Sequence, residues 1–336
     1  MHSHTLIFYK IINKEVNFIS IIVLVIVYIL ISIRQIGRVR LQSWQIMLGG
    51  ALTVLITRQI SFSQAFNSIN FDIIIFLGCM FIVGEAFGRS GYIKHLSFVV
   101  FKKAKNINQL LLFIIFSLGL LSPFFINDTM VIVSTPLIIY IAKKHNISAK
   151  PLLLTMAFAV TTGSVLSPIG NPQNLLIALN SNMENPFLTF FKYLTIPTLI
   201  NLFVIFIMIK IFFKEHFKNE PLNHIKDEIN DEKLTNLSRI SFFLTFILIG
   251  IKIFTVLIGL GDVFKITYIA VIACLPIVLF SKRRLEIIKN IDYHTLIFFT
   301  SMFVLMESVW NTGIFQNIVK DMDLNSTLTT LSLSVI

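Results

Sequence analysis

The sequence predicts an all-α polytopic membrane protein, and three observations support this fold class. Hydrophobic residues make up 55% of the 336 residues and charged residues only 13%, whereas a soluble domain carries about 25% charged residues. Several apolar stretches are long enough to cross a bilayer. The lysines and arginines gather between these stretches, as the positive-inside rule describes. This pattern accounts for the net charge of +11, so the lipid bilayer is the expected partner and no nucleic acid is expected.

The apolar pattern divides the chain into four parts. They are residues 1–43 with a first spanning helix and a basic loop, residues 44–213 as a first transport repeat, residues 214–239 as a cytoplasmic linker, and residues 240–336 as the start of a second repeat. Uninterrupted crossings are expected at 16–33, 44–57, 71–88, 187–213, 240–259, 263–280 and 292–310. Residues 58–70 are expected to form an outer loop.

A polar turn lies inside the apolar stretch 109–142, and lysines stand at both ends of that stretch. These are Lys102, Lys103 and Lys105 before it, and Lys143, Lys144 and Lys150 after it. Because lysines near membrane segments stay on the cytoplasmic side, both ends are expected on the same face. About 34 residues are too few for two spanning helices of about 20 each. We therefore predict a re-entrant helical hairpin with Asn127, Asp128 and Thr129 at its tip, near the middle of the membrane.

A second polar cluster interrupts the predicted crossing 151–180. Its members are Thr161, Thr162, Ser167, Gly170, Asn171, Pro172, Gln173 and Asn174. Proline and glycine should open the helix and release backbone carbonyls and N–H groups. Freed carbonyls and amide oxygens suit Na⁺, and the N-terminal end of a half-helix that begins near Pro172 suits an oxyanion. A simple proline kink is the alternative.

Asp128 is the acid of the predicted hairpin. A carboxylate in mid-membrane costs roughly 2.5–3.5 kcal/mol on insertion scales and is functional by default. We expect Asp128 to ligate Na⁺, together with Asn127 and Asn171, or to carry a proton. A hydrogen-bonded cap at an interfacial turn is the alternative. No cofactor is expected other than this coupling ion, because the histidines and cysteines show no metal-binding spacing.

Two glutamates are weaker candidates for a coupling role. Glu85 and Glu307 occupy matching positions of an internal repeat described below. Glu85 also precedes Arg89 by one helical turn, and an i,i+4 ion pair is the simpler explanation of Glu85.

An internal repeat appears when the chain is shifted by 222 positions, which aligns 69–93 with 291–315 without a gap. The identical pairs are Ile69/Ile291, Ile75/Ile297, Phe76/Phe298, Met80/Met302, Phe81/Phe303, Glu85/Glu307 and Gly91/Gly313. The charge rule sends the first copy inward and the second outward, which predicts an inverted-topology repeat. The partner of the hairpin would fall beyond Ile336. We therefore expect the second repeat to be incomplete, with one half of a two-part site present.

The two polar clusters resemble motifs of the ion transporter superfamily, which includes arsenite permeases, sodium–proton antiporters and citrate-transporter-like permeases. Residues 167–174, Ser-Pro-Ile-Gly-Asn-Pro-Gln-Asn, resemble its helix-break motif, and residues 127–136 resemble its hairpin. The Glu-x-x-x-x-x-Gly segments that end at Gly91 and Gly313 resemble its helix after the scaffold hairpin. Several relatives have Asp-Pro-Pro-Asn where this chain has Asn-Pro-Gln-Asn, which leaves the charge of the substrate open.

The resemblance implies secondary transport of an anion, an oxyanion-like solute or a cation, coupled to Na⁺ or H⁺. Asn127 and Thr129 would contact substrate or sodium, and Asn171 and Asn174 would form the facing side. The expected protein is a permease of the cell membrane for a small inorganic or organic ion, with a homodimer left open.

Three alternatives to this permease are considered. The first is a more specific transporter, namely a sodium–proton antiporter or an arsenite-type permease. The second is an inert truncated fragment. The third, an intramembrane aspartyl hydrolase, lacks a second acid to face Asp128, because Asp72 and Asp292 lie at helix ends. We therefore expect no enzyme.

Overall fold

The computed structural model describes residues 18–33, 35–36, 39–91, 104, 106–144, 147–181, 183–214, 231–258, 265–314 and 316. In this part of the chain the helices are α1 (Phe18–Ile33), α2 (Ser43–Ile56), α3 (Phe62–Ser68), α4 (Phe71–Ser90), α5 (Ile107–Leu121), α6 (Asn127–Lys144), α7 (Ala149–Ser164), α8 (Pro172–Asn180), α9 (Pro186–Phe212), α10 (Glu232–Leu257), α11 (Ile266–Phe280), α12 (Arg284–Lys289) and α13 (Tyr293–Trp310). A 3₁₀ turn, Ser122–Phe124, follows α5. The described strands β1 (Gln35–Ile36) and β2 (Val39–Arg40) pair antiparallel.

The described helices confirm an all-α membrane protein. Four helical segments are long and apolar enough to cross a bilayer: Phe71–Ser90, Ile107–Phe124, Pro186–Phe212 and Glu232–Thr255. Helix α9 shows the surroundings that such a segment needs. Only 17% of its most apolar stretch is buried, and its exposed side chains are mostly large and hydrophobic. A surface of that kind is stable against lipid tails rather than water.

The prediction that residues 58–70 form a loop is wrong, because this segment contains α3. Ser61 and Gln64 form a capping box, in which Ser61 Oγ accepts from the Gln64 N–H at 3.2 Å. In return, Gln64 Oε1 accepts from the Ser61 N–H at 3.1 Å. These two bonds satisfy N–H groups that a helix start otherwise leaves without partners.

The predicted linker 214–239 is too long at its C-terminal end. Helix α10 begins at Glu232, and Asp231 Oδ1 accepts from the Leu234 N–H at 2.9 Å. Residues 232–239 are therefore the first two turns of α10, and the cap explains why a charged sequence is helical here. Residues 215–230 of the linker lie outside the described residues.

The internal repeat extends over four helices of each copy. Shifted by 222 positions, the bounds of α2, α3 and α4 become 265–278, 284–290 and 293–312, and α11, α12 and α13 begin and end within two residues of those bounds. The range of α1 becomes 240–255, which lies inside α10. Gly91 and Gly313, which follow α4 and α13, share a left-handed backbone with φ of 77° and 78°. This conformation favours glycine; Gly91 directly follows α4, and Gly313 lies three residues after the end of α13. The opposite membrane orientation of the copies stays a prediction.

The chain divides into two compact units, each of which contains helices from both copies. One unit comprises Met1–Ile74 and Tyr293–Ile336, and the other comprises Ile75–Asp292. In the first unit, α13 of the second copy packs against α1, α2 and α3 of the first. Ser20 Oγ and Ser308 Oγ are hydrogen-bonded there at 2.7 Å. In the second unit, the part of α4 from Ile75 onward shares one apolar core with α11 of the second copy.

An ion cluster in the second unit joins the ends of α4, α10 and α12. Arg89 pairs with Glu85 at 2.5 Å and also with Glu286. Arg283 donates to Glu286 at 2.8 Å and lies 4.0 Å from Asp231. All these side chains are partly exposed, so each pair is expected to contribute little by itself.

Replacing Glu286 by glutamine should lower the Tm slightly at neutral pH and leave it unchanged in acid. The pKa of Glu286 lies below its ordinary value because Arg283 donates a hydrogen bond to the carboxylate and because the charges of Arg283 and Arg89 favour the ionised form. A lowered pKa contributes stability that is present above the ordinary value of about 4.3. That contribution is lost as the pH falls through the lowered value. Thermal unfolding in detergent at several pH values measures the difference.

The control for this experiment is Glu184→Gln, which removes an exposed carboxylate from the segment between α8 and α9. Its Tm should follow the wild type at every pH. A Tm difference for Glu286→Gln that persists unchanged in acid would contradict the ionic origin of the effect.

Candidate functional site

The crossing predicted at 151–180 consists of two half-helices separated by a non-helical segment. Helix α7 ends at Ser164 and α8 begins at Pro172. Asn171 caps α8, because its backbone is extended and its Oδ1 accepts from the Asn174 N–H at 2.7 Å. Pro172 fits the first helical position because it has no N–H to satisfy. The segment is therefore a true helix break rather than a kink.

Asn174 binds the carbonyls that the break releases. Its buried Nδ2 donates to the carbonyl oxygens of Ser167 at 3.0 Å, Val165 at 3.3 Å and Ser164 at 3.4 Å. Buried carbonyls need such partners where water is excluded. The amide N–H groups of Asn174 therefore hold the break together, and a ligand contact from this side chain would have to come from Oδ1.

Gly170 is the point where the break meets α6. The Asn127 N–H donates to the Gly170 carbonyl oxygen at 2.9 Å. A Cβ at position 170 would lie 2.1 Å from the Ser164 carbonyl oxygen, so a larger residue does not fit here without a backbone shift. The contact joins the first residue of α6 to the loop that leads into α8.

Two helix N-termini consequently lie at one junction. Helix α6 begins at Asn127 and α8 at Pro172, on either side of the Asn127–Gly170 hydrogen bond. The first turn of a helix has backbone N–H groups without partners in that helix, and its end carries a partial positive charge. This arrangement favours a negatively charged ligand.

A close approach of α5 and α7 holds the junction in place. A Cβ at Gly163 would lie 1.9 Å from the Gly119 carbonyl oxygen. One turn further on, Ser122 Oγ donates to the Val160 carbonyl oxygen at 2.7 Å. The turn after α5 runs through Ser122–Phe124, so the polar residues predicted at the hairpin tip lie instead at the start of α6. Whether the hairpin is re-entrant stays a prediction.

The remaining predicted ligands differ in exposure. Ser167, Gly170, Pro172 and Asn174 are buried, Asn127, Thr162 and Asn171 are half-buried, and Thr161 and Gln173 are exposed. The backbones of Asp128 and Thr129 lie in the first turn of α6, but their side chains lie outside what the structure describes. The Na⁺ site predicted at Asn127, Asp128 and Asn171 therefore stays a prediction.

The two coupling candidates, Glu85 and Glu307, lie far from the break in the sequence. Glu85 forms the i,i+4 pair with Arg89 that the sequence suggested as its simpler explanation. Glu307 is half-buried on α13, a helix of the other unit. Their coupling role stays a prediction.

Two buried polar residues lie outside the predicted set of ligands, and others are buried as well. Ser134 on α6 is fully buried, and its Oγ has no hydrogen-bond partner among the described residues. Lys252 on α10 is 1% exposed. The available signal for Lys252 was a single lysine inside the apolar run 240–259, since a charge within a membrane segment is rarely neutral for function.

Comparison with known proteins gives a family and several relatives. A family model described as "Citrate transporter" matches residues 17–336. A silicon efflux transporter of Oryza sativa subsp. japonica is 33% identical over 135 residues, which cover 40% of this chain and 28% of that protein. A transporter of Dictyostelium discoideum named arsB is 27% identical over 164 residues, 48% of this chain and 29% of that protein.

A third relative is the inner membrane protein YbiR of Escherichia coli (strain K12). It is 33% identical over 110 residues, which cover 33% of this chain and 30% of that protein. The chain thus spans less than a third of the length of each of these three relatives.

Replacing Gly163 by alanine should destabilise the protein by about 1–3 kcal/mol, because the added methyl group overlaps the backbone of α5. The matched control is Gly250→Ala on α10, where no atom lies within 4 Å of the added Cβ. The control should be neutral or slightly stabilising, since alanine is the better helix former. Thermal unfolding in detergent compares the two variants, and equal Tm values would contradict the close approach.

Replacing Asn174 by alanine should cost about 1–3 kcal/mol, because carbonyls of the break lose their donor. Gln173→Ala, on the exposed neighbour, should leave the Tm near that of the wild type. Limited proteolysis should in addition cut Asn174→Ala faster between α7 and α8. An unchanged Tm and cleavage rate would show that the carbonyls have other partners.

Proposed function

Because the chain belongs to the citrate transporter family, we propose that it moves a small anion or oxyanion-like solute across the cell membrane. Transport is secondary and coupled to Na⁺ or H⁺. The chain is a membrane protein related to transporters along most of its length. The kind of solute, the coupling to Na⁺ or H⁺ and the location in the cell membrane are proposals.

The observation that carries the anion proposal is the junction of the two helix N-termini at Gly170. The N-terminal ends of α6 and α8 both contribute partial positive charge, and their first turns contain backbone N–H groups that can donate to a ligand. In an apolar membrane interior such donors act at short range with little screening by water. A carboxylate or oxyanion between the two ends is stabilised without a full positive charge from either helix.

Asp128 provides a route for coupling. It lies in the first turn of α6, next to the proposed anion position. An ionised Asp128 would repel an anion at this position. Binding of Na⁺ or a proton would neutralise Asp128 and remove the repulsion. Anion and cation would then bind together more readily than either binds alone, which is the energetic basis of symport.

The names of the family and its relatives do not select one solute. The family description gives citrate, and the name of the rice relative gives silicon. Members of one fold carry different cargoes because the residues of the site decide the substrate. Citrate, phosphate and silicic acid are therefore the probes to test first, each with and without Na⁺ and pH gradients in liposomes that contain the full-length protein.

Replacing Asn171 by aspartate should reduce uptake of the anionic probe by at least about tenfold, because a new negative charge at the start of α8 repels it. Aspartate caps a helix about as well as asparagine does, so the fold is expected to remain. Initial uptake rates in proteoliposomes measure the change. The control is Asn106→Asp, which adds the same charge at the cap of α5, where Asn106 Oδ1 accepts from the Gln109 N–H at 2.9 Å.

Two results would contradict the proposal. Equal anion uptake by the wild type and Asn171→Asp would exclude an anion at the start of α8. Flux with channel-like conductance that ignores both gradients would exclude coupling.

A further inference from the structure

An apolar cavity of about 470 Å³ lies between α7 and the C-terminal turns of α9, within the second unit. Every residue that lines it is apolar, and among them are Leu154 and Phe158 of α7 and Met208 and Phe212 of α9. Pockets that hold a small molecule have volumes of about 300–1,000 Å³. The size of the cavity therefore suits a ligand, and its apolar lining favours a hydrocarbon chain over an ion.

The cavity opens on the side of α9 that is suited to lipid. In the described part of the protein Phe158 is 52% exposed, Met208 49% and Phe212 73%. Ile209 forms the inner wall, since it is 4% exposed and belongs to the apolar core that also contains residues of α7. Large exposed apolar side chains on a membrane helix contact acyl chains rather than water. The occupant whose chemistry matches this opening is an acyl chain of a membrane lipid.

Three lysines stand at one end of the cavity. Lys150 precedes Leu154 by four residues and therefore lies on the same face of α7. Lys210 lies in the last turn of α9, and Lys214 follows Phe212 by two residues. All three lysines are exposed. Because Leu154 and Phe212 line the same cavity, the first turn of α7 and the last turn of α9 meet at this end.

The ammonium of Lys210 lies beside the cavity and not beyond the end of α9. Its Nζ is 5.4 Å from the centroid of the Phe206 ring, which is one helical turn earlier in the chain. A lysine near the end of a membrane helix ordinarily extends towards the polar interface. Lys210 instead points back along α9, at the level of the residues that line the cavity. A negatively charged group at the mouth of the cavity would pair with it.

The start of α7 contributes a second feature that favours an anion. The side chain of Ser148, the residue before α7, makes no cap hydrogen bond. The first N–H groups of a helix have no partner within that helix, and this end carries a partial positive charge. Phosphate is a typical ligand of such an end. Lys150 adds a full positive charge in the same turn, so an anion here would be stabilised by both.

Acidic side chains of α6 to α9 do not neutralise these lysines. Between residues 129 and 214 the sequence contains one acid, Glu184. Glu184 precedes the start of α9, about 35 Å from Lys210 at 1.5 Å per residue. The acids of residues 215–230 lie outside the described residues, and the experiment below includes their effect because it uses the complete chain.

We propose that the cavity and Lys150, Lys210 and Lys214 form a binding site for an anionic phospholipid. An acyl chain occupies the cavity, and the phosphate lies near the lysines and the first turn of α7. Basic pockets between membrane helices select anionic lipids in this way. The site is separate from the junction at Gly170, and the proposal does not rest on the proposed function.

Lipid binding to the purified full chain tests the site. The protein in a neutral detergent is titrated with phosphatidylglycerol and with phosphatidylcholine of the same acyl chains, and native mass spectrometry measures the bound lipid. The wild type should bind phosphatidylglycerol at least about twentyfold more tightly, since one lysine beside an anionic lipid contributes about fivefold. Lys210→Gln should lower this ratio about fivefold, and the triple variant with Lys150→Gln and Lys214→Gln should bring it close to one.

Two matched controls on α9 separate the site from general effects. Lys192→Gln removes an exposed lysine at the other end of α9, whose Nζ also lies near a ring, 5.2 Å from the centroid of Tyr193. It should preserve the ratio. Met208→Trp fills part of the cavity and should weaken binding of both lipids, whereas Leu199→Trp, at an exposed position outside the lining, should weaken neither.

Three results would overturn the proposal. Equal affinity of the wild type for the two lipids would show that the lysines do not select a headgroup. An equal loss of the ratio in Lys192→Gln and Lys210→Gln would reduce the preference to the general positive charge of the protein. Unchanged lipid binding by Met208→Trp, or displacement of phosphatidylglycerol by glycerol 3-phosphate, would show that no acyl chain occupies the cavity.

Discussion

The site depends on the need to satisfy backbone groups where a helix is interrupted in an apolar solvent. Water is not available in the bilayer interior to replace the hydrogen bonds that α7 loses at Ser164. The chain solves this locally with two asparagines, since Asn174 binds the freed carbonyls and Asn171 caps the new helix. The Asn127–Gly170 bond then joins this arrangement to α6. The carbonyls of the break thus have partners within the protein, which leaves the two helix ends as the proposed place for a ligand.

The helices themselves were largely predictable from the sequence. Long apolar runs with basic flanks indicated the approximate bounds of α1, α2, α4, α9, α10, α11 and α13, and the density of proline, glycine and asparagine located the break. Two errors came from judging segments by polarity alone. Helix α3 and the first turns of α10 are polar, but Ser61 and Asp231 cap them. Capping depends on one side chain at the right position and is easily missed in a search for apolar runs.

The roles of single side chains in the site were much harder to predict. Asn171 and Asn174 were expected to face a ligand, yet their amides are held by contacts that the sequence does not reveal. Asn174 donates to the carbonyls of the break, whereas Asn171 accepts from the Asn174 N–H and donates to Ser164 Oγ. The turn at Ser122–Phe124 was missed as well, although the 3₁₀ turn contains Pro123 in its first turn. Lys252 was overlooked because one charge hardly changes the hydropathy of a segment.

The mixed composition of the two units has a consequence for biosynthesis. In the first unit, α2 packs against α13, which the ribosome makes more than two hundred residues later. The early helices must therefore wait in the lipid, incompletely packed, until nearly the whole of this sequence has emerged. Contacts so distant along the chain are closed slowly. The first unit is thus expected to be completed only when α13 docks, rather than one copy at a time.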